Sequence, residues 1–272
     1  MGLILLSCNN DPIVDPSEFV ENYRDLTEVE YSPTAFVVDN LPEFLPLISP
    51  ADNPLTVQGI NLGRHLFYDP ILSADSTMSC SSCHSPELAF TDGLAKSIGI
   101  DGLPTQRSSM SLLNIGYNYR GLFWDGRVTT LEEQALLPIE DEIEFHNTWT
   151  QAVSDLQVHS VYPTLFREAF GIDHTGEITK ELAAKAIAQF ERIIISGGNS
   201  KFNKVIFDNT QAFTDQERHG FDLFVDDGDE DALCPADIIQ KKVRVEDEQE
   251  GQKCGSQRIP EGHGTRLDRI TT

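Results

Sequence analysis

The chain has 272 residues, 39% of them apolar, and a formal net charge of −24. That is enough apolar material for one large core or two ordinary ones. The acidic balance excludes nucleic acid as a natural partner, because phosphates are repelled, and suits a basic redox protein docking on an acidic face or simple solvation.

In chain order, Leu5-Leu6-Ser7-Cys8 has the form of a lipoprotein cleavage box, with Cys8 as the lipidated residue. The apolar run Leu3 to Leu6 is short for a signal core and no Lys or Arg precedes it, so the expectation is a start codon further upstream, with Asn9-Asn10-Asp11-Pro12 as the tether. An accidental match is the other reading. Nothing later is long and apolar enough to span a bilayer, so the membrane enters only through that anchor.

From Thr56, Val57, Ile60, Leu62, Leu66 and Phe67 follow a rough helical period that Asp69-Pro70 ends. Loops dominate from Ser85 to Gly126. Three capping boxes predict helix starts at Thr130 with Glu133, Thr148 with Gln151 and Thr214 with Glu217. The clearest amphipathic segment runs from Thr179 to Ser196, with Leu182, Ala186, Ile187, Phe190, Ile193 and Ile194 on one stripe and Gly197-Gly198 as the stop. After Phe224 an acidic run, Asp226 to Asp231, leads into an aperiodic tail that reads as disordered. The fold class is therefore all-α, with short helices and long loops.

Cys80-Ser81-Ser82-Cys83-His84 carries the chemistry. Two cysteines two residues apart, followed at once by histidine, are the attachment signature of a c-type haem. Each thiol can form a thioether with one vinyl group, and the imidazole of His84 lies under the iron as proximal ligand. A structural zinc site would need a second cysteine or histidine pair, and Cys8, Cys234 and Cys254 are isolated. The expectation is one covalent haem c. Such haem is attached outside the cytoplasm, so the location expected is periplasmic.

The segment from Gly63 to Asn203 resembles the bacterial dihaem cytochrome c peroxidases and their relatives in methylamine-dehydrogenase maturation. The matching pieces include Leu62-Gly63-Arg64, the haem motif, Phe90-Thr91-Asp92-Gly93, Arg107, Phe123-Trp124-Asp125-Gly126-Arg127, Leu131-Glu132-Glu133-Gln134-Ala135 and Phe190-Glu191-Arg192. The resemblance implies cytochrome c-type domains and reduction of hydrogen peroxide with electrons from a small cytochrome c or cupredoxin. It also implies a distal pair, Glu144 to move the proton and Gln134 to hold peroxide, with Trp124 as an electron conduit at the haem edge. Without that register, Glu132, Glu133, Glu140, Glu142 and Glu144 read as one solvated acidic face, and Trp124 as core.

Two departures stand out. Many dihaem peroxidases have a histidine that blocks the distal site until the second haem is reduced; the corresponding stretch here, Ser97 to Gly102, has none, and Ile100 cannot ligate iron. The family also carries a second haem motif after a helix ending in Leu-Phe, yet Leu223-Phe224 is followed only by Cys234-Pro235-Ala236-Asp237, and the tail has no methionine. The expected partition is a signal and linker over 1–30, a peroxidatic haem domain over 31–198 and an incomplete second domain over 199–272, from a frameshift or truncation or as a true monohaem descendant. Three functions stay open: a peroxidase, an electron-transfer cytochrome with Met110 or His146 as second ligand, and a maturation oxidase of a protein-derived cofactor.

Overall fold

The computed structural model describes residues 23–38, 47, 49–118, 121–196, 200–206 and 210–225. Cys8, Cys234, Cys254 and the acidic run after Phe224 lie outside them. The chain divides into two compact units, one of Met1–Asp39 with Leu47–Ser196, the other of Asn40–Pro46 with Gly197–Thr272. Among the described residues there are helices, short 3₁₀ turns and five isolated β-bridges, and no strand.

The first unit holds six α-helices: α1 (Val57–Tyr68), α2 (Cys80–Cys83), α3 (Leu131–Glu140), α4 (Trp149–Val158), α5 (Tyr162–Phe170) and α6 (Lys180–Arg192). Helix α1 starts where Thr56 accepts from Gly59 N and stops at Asp69, whose carboxylate caps the next turn through Ile71 N (3.0 Å). Its apolar stripe, Leu62, Leu66 and Phe67, is wholly buried. α1 packs on α6 and α5, and α3 packs on α6. The α1–α6 approach needs glycine: a Cβ on Gly63 would lie 1.9 Å from Ala186 O.

A polar network pins α3 and the entrance to α1 onto α6. Asn53 donates to Glu132 (2.6 Å), Gln189 donates to Asn53 (2.8 Å), Thr56 N donates to Gln189 (3.0 Å), and Arg192 pairs with Glu132 (2.7 Å). Burial works against the Glu132 charge, but the Arg192 and Asn53 hydrogen bonds prevail and hold its carboxyl below the ordinary range.

Thr130 and Thr148 cap α3 and α4 as expected, each accepting from the N3 amide. The return halves are not made as a capping box requires: Glu133 reaches Thr129 N instead, and Gln151 turns to Asp155. α6 also ends earlier than its apolar stripe, at Arg192. Asn114 N takes the Ile194 carbonyl (2.8 Å), and the Asn114 side chain brackets Ser196 in both directions, drawing the chain out of the helix. Between Ser85 and Gly126 the described backbone forms two 3₁₀ turns, Pro86–Leu88 and Ile115–Tyr117, and isolated β-bridges such as Ser85 with Thr91 and Ile98 with Pro104.

The second unit contains α7 (Lys201–Ile206) and α8 (Asp215–Val225). Here the capping box is complete: Glu217 N donates to the Thr214 hydroxyl, and Thr214 N donates to the Glu217 carboxylate (2.8 Å). Phe202, Phe213 and Phe221 cluster with centroids 5.6–6.5 Å apart, and Leu223 and Phe224 are exposed.

Candidate functional site

The site begins at α2, one turn of helix closed at its start by Ser79 N donating to the Ser82 hydroxyl (3.1 Å). Cys80 packs against the apolar cores on both sides, and Cys83 is half-buried. Burial, and then the nearby Glu191 charge, pushes the Cys80 thiol far up. Cys83 is pushed up to about 11, by burial and then Asp92. Both therefore persist as protonated thiols at neutral pH.

His84 closes α2 through its backbone N–H to Cys80 O (3.0 Å). Its Nδ1 hydrogen-bonds the Phe90 carbonyl at 2.8 Å, so Nδ1 carries the proton and Nε2 keeps a lone pair for a metal. That carbonyl is aimed by two successive non-glycine residues in the left-handed region, Ala89 (φ 58°) and Phe90 (φ 59°). Such residues cost about 1 kcal/mol each and persist only where surroundings impose them. Here Phe90 N donates to Ser85 O (2.8 Å) and Ser85 N to Thr91 O (3.0 Å). Burial lowers the imidazole pKa, against hydrogen bonds to the Phe90 and Met110 carbonyls, which favours the neutral, ligating form.

Above α2 lies a cavity of about 390 Å³, within the size range of cofactor pockets. Leu112, Ile115, Leu122, Leu131, Ala135 and Ile187 give it apolar walls. Cys80, Cys83 and His84 line it together with Gln134, Glu144 and Trp124, so the structure brings all six sequence candidates to one space.

Gln134 sits on α3, where Pro138, with no N–H to donate, interrupts the helical ladder one turn later. Glu144 follows α3 in a turn built on Asp141, whose carboxylate accepts from Ile143 N (2.8 Å) and Glu144 N (3.1 Å). Burial raises the Glu144 pKa, Asp141 adds to the rise, and Arg127 opposes it. The 97–105 loop lies against this turn. A Cβ on Gly99 would fall 1.7 Å from Ile143 O, and Ile100 N donates to the carbonyls of both Ile143 (3.2 Å) and Glu144 (3.1 Å). Ile100 thus serves through its backbone to seat the acid.

Trp124 is 60% exposed at the cavity edge, its indole N–H donating to Ser108 O (2.9 Å). It rides a tight turn in which Gly121 (φ 109°) approaches Gly126 so closely that a Cβ would meet Gly126 O at 2.7 Å. Beside it Asp125 bridges Arg107 (3.0 Å) and Arg127 (3.1 Å), both cavity residues. Of the alternative ligands, Met110 lines the cavity, whereas His146 is exposed and bonded to Asp101 (2.9 Å). The acids flanking Glu144 separate: Glu132 is spent on Arg192, Glu133 on Thr129 N. Sequence reasoning assigned no role to Glu191, which lines the cavity with its Oε2 buried and unpartnered. The residue was visible only as the middle of Phe190-Glu191-Arg192, where neighbouring charges masked it.

Two thiols, a tautomer-fixed imidazole and an apolar cavity brought to one place are the set that a c-type haem domain requires. A family description, di-haem cytochrome c peroxidase, matches residues 57–211, and the chain belongs to that family. It is 35% identical over 185 residues to the methylamine utilization protein MauG of Methylophilus methylotrophus, covering 68% of this chain and 53% of that one. It is 34% identical over 191 residues to the cytochrome c peroxidase Ccp of Escherichia coli K12, covering 70% and 39% respectively. A crystal structure described as a MauG-like protein associated with microbial copper homeostasis superposes with a TM-score of 0.63 at 33% identity, covering 70% of this chain and 55% of that one. The chain spans about half the length of the curated relatives it matches.

The residues fit a haem c. Cys80 and Cys83 would attach it, and His84 Nε2 would ligate the iron.

Proposed function

We propose that this chain is the peroxide-cleaving haem unit of a cytochrome c peroxidase, reducing hydrogen peroxide to water with electrons from a small cytochrome c or cupredoxin. The observation that carries it is the placement of Glu144 and Gln134 in the His84 cavity, with no histidine in the adjoining 97–102 loop. Bound haem supplies an iron centre at which peroxide is reduced. The Gln134 amide holds peroxide by hydrogen bonds. The Glu144 carboxylate takes the proton from one peroxide oxygen and returns it to the other as the O–O bond breaks. Its raised pKa brings it nearer the operating pH, where a group can both accept and release a proton. Gly99 and Ile100 hold its backbone in place, and the exposed Trp124 offers a route for electrons from the donor.

A maturation oxidase that acts on another protein is the second reading. Trp124 at the protein surface favours it, since electrons can then be drawn from a substrate too large to enter. We propose a periplasmic location on the haem-attachment argument, and Cys8 as a lipid anchor on the Leu5-Leu6-Ser7-Cys8 box. The test is rapid mixing of the haem-loaded protein with hydrogen peroxide. The wild type should show a fast change of the haem spectrum, and Glu144→Gln should lose it at unchanged haem content. Equal rates would overturn the assignment.

A further inference from the structure

Glu191 on α6 is 5% exposed, its Oε2 is inaccessible to water, and that atom has no hydrogen-bond partner. Unpartnered buried carboxyls are rare because ionising one in a dry site costs several kcal/mol. This one lines the same cavity as Cys80, the first attachment thiol, whose own titration it perturbs. The mechanism above has no use for it. The cation that should neutralise it is committed elsewhere: Arg192, the next residue, gives Nη2 to Glu132, while its Nη1 is buried without a partner.

We infer that Glu191 is the redox-linked proton site of the haem cavity: its carboxylate binds one proton from solvent when an electron enters the haem, and releases that proton when the electron leaves. The inference rests on the haem reading. The electron comes from the external donor or an electrode, the proton from water, and no bond other than the O–H at Glu191 forms or breaks.

The physical reason is reciprocity. Oxidised haem carries one more positive charge than reduced haem, and in a low-dielectric cavity that charge favours the ionised acid. A coupling that makes the proton leave on oxidation must make the potential depend on pH by the same free energy. The carboxyl is poised for this. Burial pushes it up, Arg192 pulls it down and Glu132 raises it, leaving it at about 8 before any haem charge is added.

Few other charges face it. α1 meets α6 through Gly59 and Gly63. α3 contributes Glu132, and α2 contributes Cys80 and Cys83, which the haem would consume. α5 spends Arg167 on Asp173. Tyr117, on the turn packed against α6, is kept neutral by burial. Glu144 and Arg127 stand elsewhere on the cavity wall.

The experiment is a redox titration of the haem-loaded protein at a series of pH values on either side of neutrality, on wild type and Glu191→Gln. The wild-type midpoint should fall with pH, approaching one proton per electron at its steepest, and Glu191→Gln should flatten that segment while its spectrum and haem content stay unchanged. A purely structural role would leave the slope intact, and the same slope in both proteins overturns the inference. Should Glu191→Gln fail to take up haem, the reduced-minus-oxidised infrared spectrum of the wild type decides. A protonated-carboxyl band that grows on reduction and shifts in D2O supports the inference, and its absence overturns it. A chain that binds no covalent haem, read beforehand by intact mass, overturns the haem reading and this inference together, whereas an unchanged slope overturns this one alone.

Discussion

Gly99→Ala isolates the contact that seats the distal acid. The new methyl would fall 1.7 Å from Ile143 O and 2.6 Å from its carbonyl carbon, and a backbone atom cannot swing aside as a side-chain tip can. The 97–105 loop must lift, and the amide of Ile100 loses its carbonyl partners at 143 and 144. Overpacking costs about 1–3 kcal/mol and the lost hydrogen bond about 1 more, so unfolding should come about 2–4 kcal/mol easier. For a unit of this size that lowers the melting temperature by roughly 4–16 °C. The displaced Glu144 should slow the peroxide step by about a hundredfold, the penalty for shifting a catalytic group by about an ångström. Gly102→Ala is the control. Its φ of 71° is unfavourable to alanine, a backbone strain that Gly99 does not carry, yet its Cβ would meet nothing within 4 Å. It should cost only about 1 kcal/mol and leave the peroxide step alone. Calorimetry and stopped-flow absorbance read both variants, and identical behaviour would refute the seating role of Gly99.

Glu144→Gln should slow peroxide cleavage by about a hundredfold or more at unchanged haem content, because an amide keeps the shape but carries no proton, as stopped flow will show. Glu132→Ala should destabilise the protein by about 3 kcal/mol in urea titrations at neutral pH, since it strands Arg192, which is 5% exposed. The folded-state pKa of Glu132 is depressed, so its contribution is present above the ordinary carboxyl range and is lost as pH falls through the lowered value. Glu191 has the opposite sign. Its raised pKa means that stability of the haem-free protein declines as pH rises from the ordinary 4.5 to about 8, and Glu191→Gln should abolish that decline in the same titrations. Cyanide should bind the oxidised haem protein without prior reduction, because residues 97–102 offer no ligand; a spectrum insensitive to cyanide would favour an electron-transfer cytochrome with Met110 as ligand.

What was legible in the sequence was whatever is set locally. The Cys80–His84 spacing is one helical turn, and Thr56, Thr130 and Thr148 each cap a helix that begins at the next residue. Trp124, Gln134 and Glu144 could be singled out only through the family resemblance, since by themselves the acids read as a solvated face and Trp124 as core. The features that escaped depend on partners distant in the chain. α6 stops at Arg192 because Asn114, far upstream, takes the Ile194 carbonyl. Glu132 leaves the acidic face because Arg192 and Asn53 reach it. Glu191 is the clearest case. Flanked by Phe190 and Arg192, it has the sequence of an ordinary ion-paired helix end, and only the diversion of Arg192 to Glu132 leaves it alone in the cavity.

Intact-mass measurement of the protein exported with a haem-maturation system tests the central claim most directly, alongside a Cys80→Ala/Cys83→Ala variant. The account predicts one added haem in the wild type and none in the variant. No adduct in the wild type, or one that survives loss of both thiols, would contradict it.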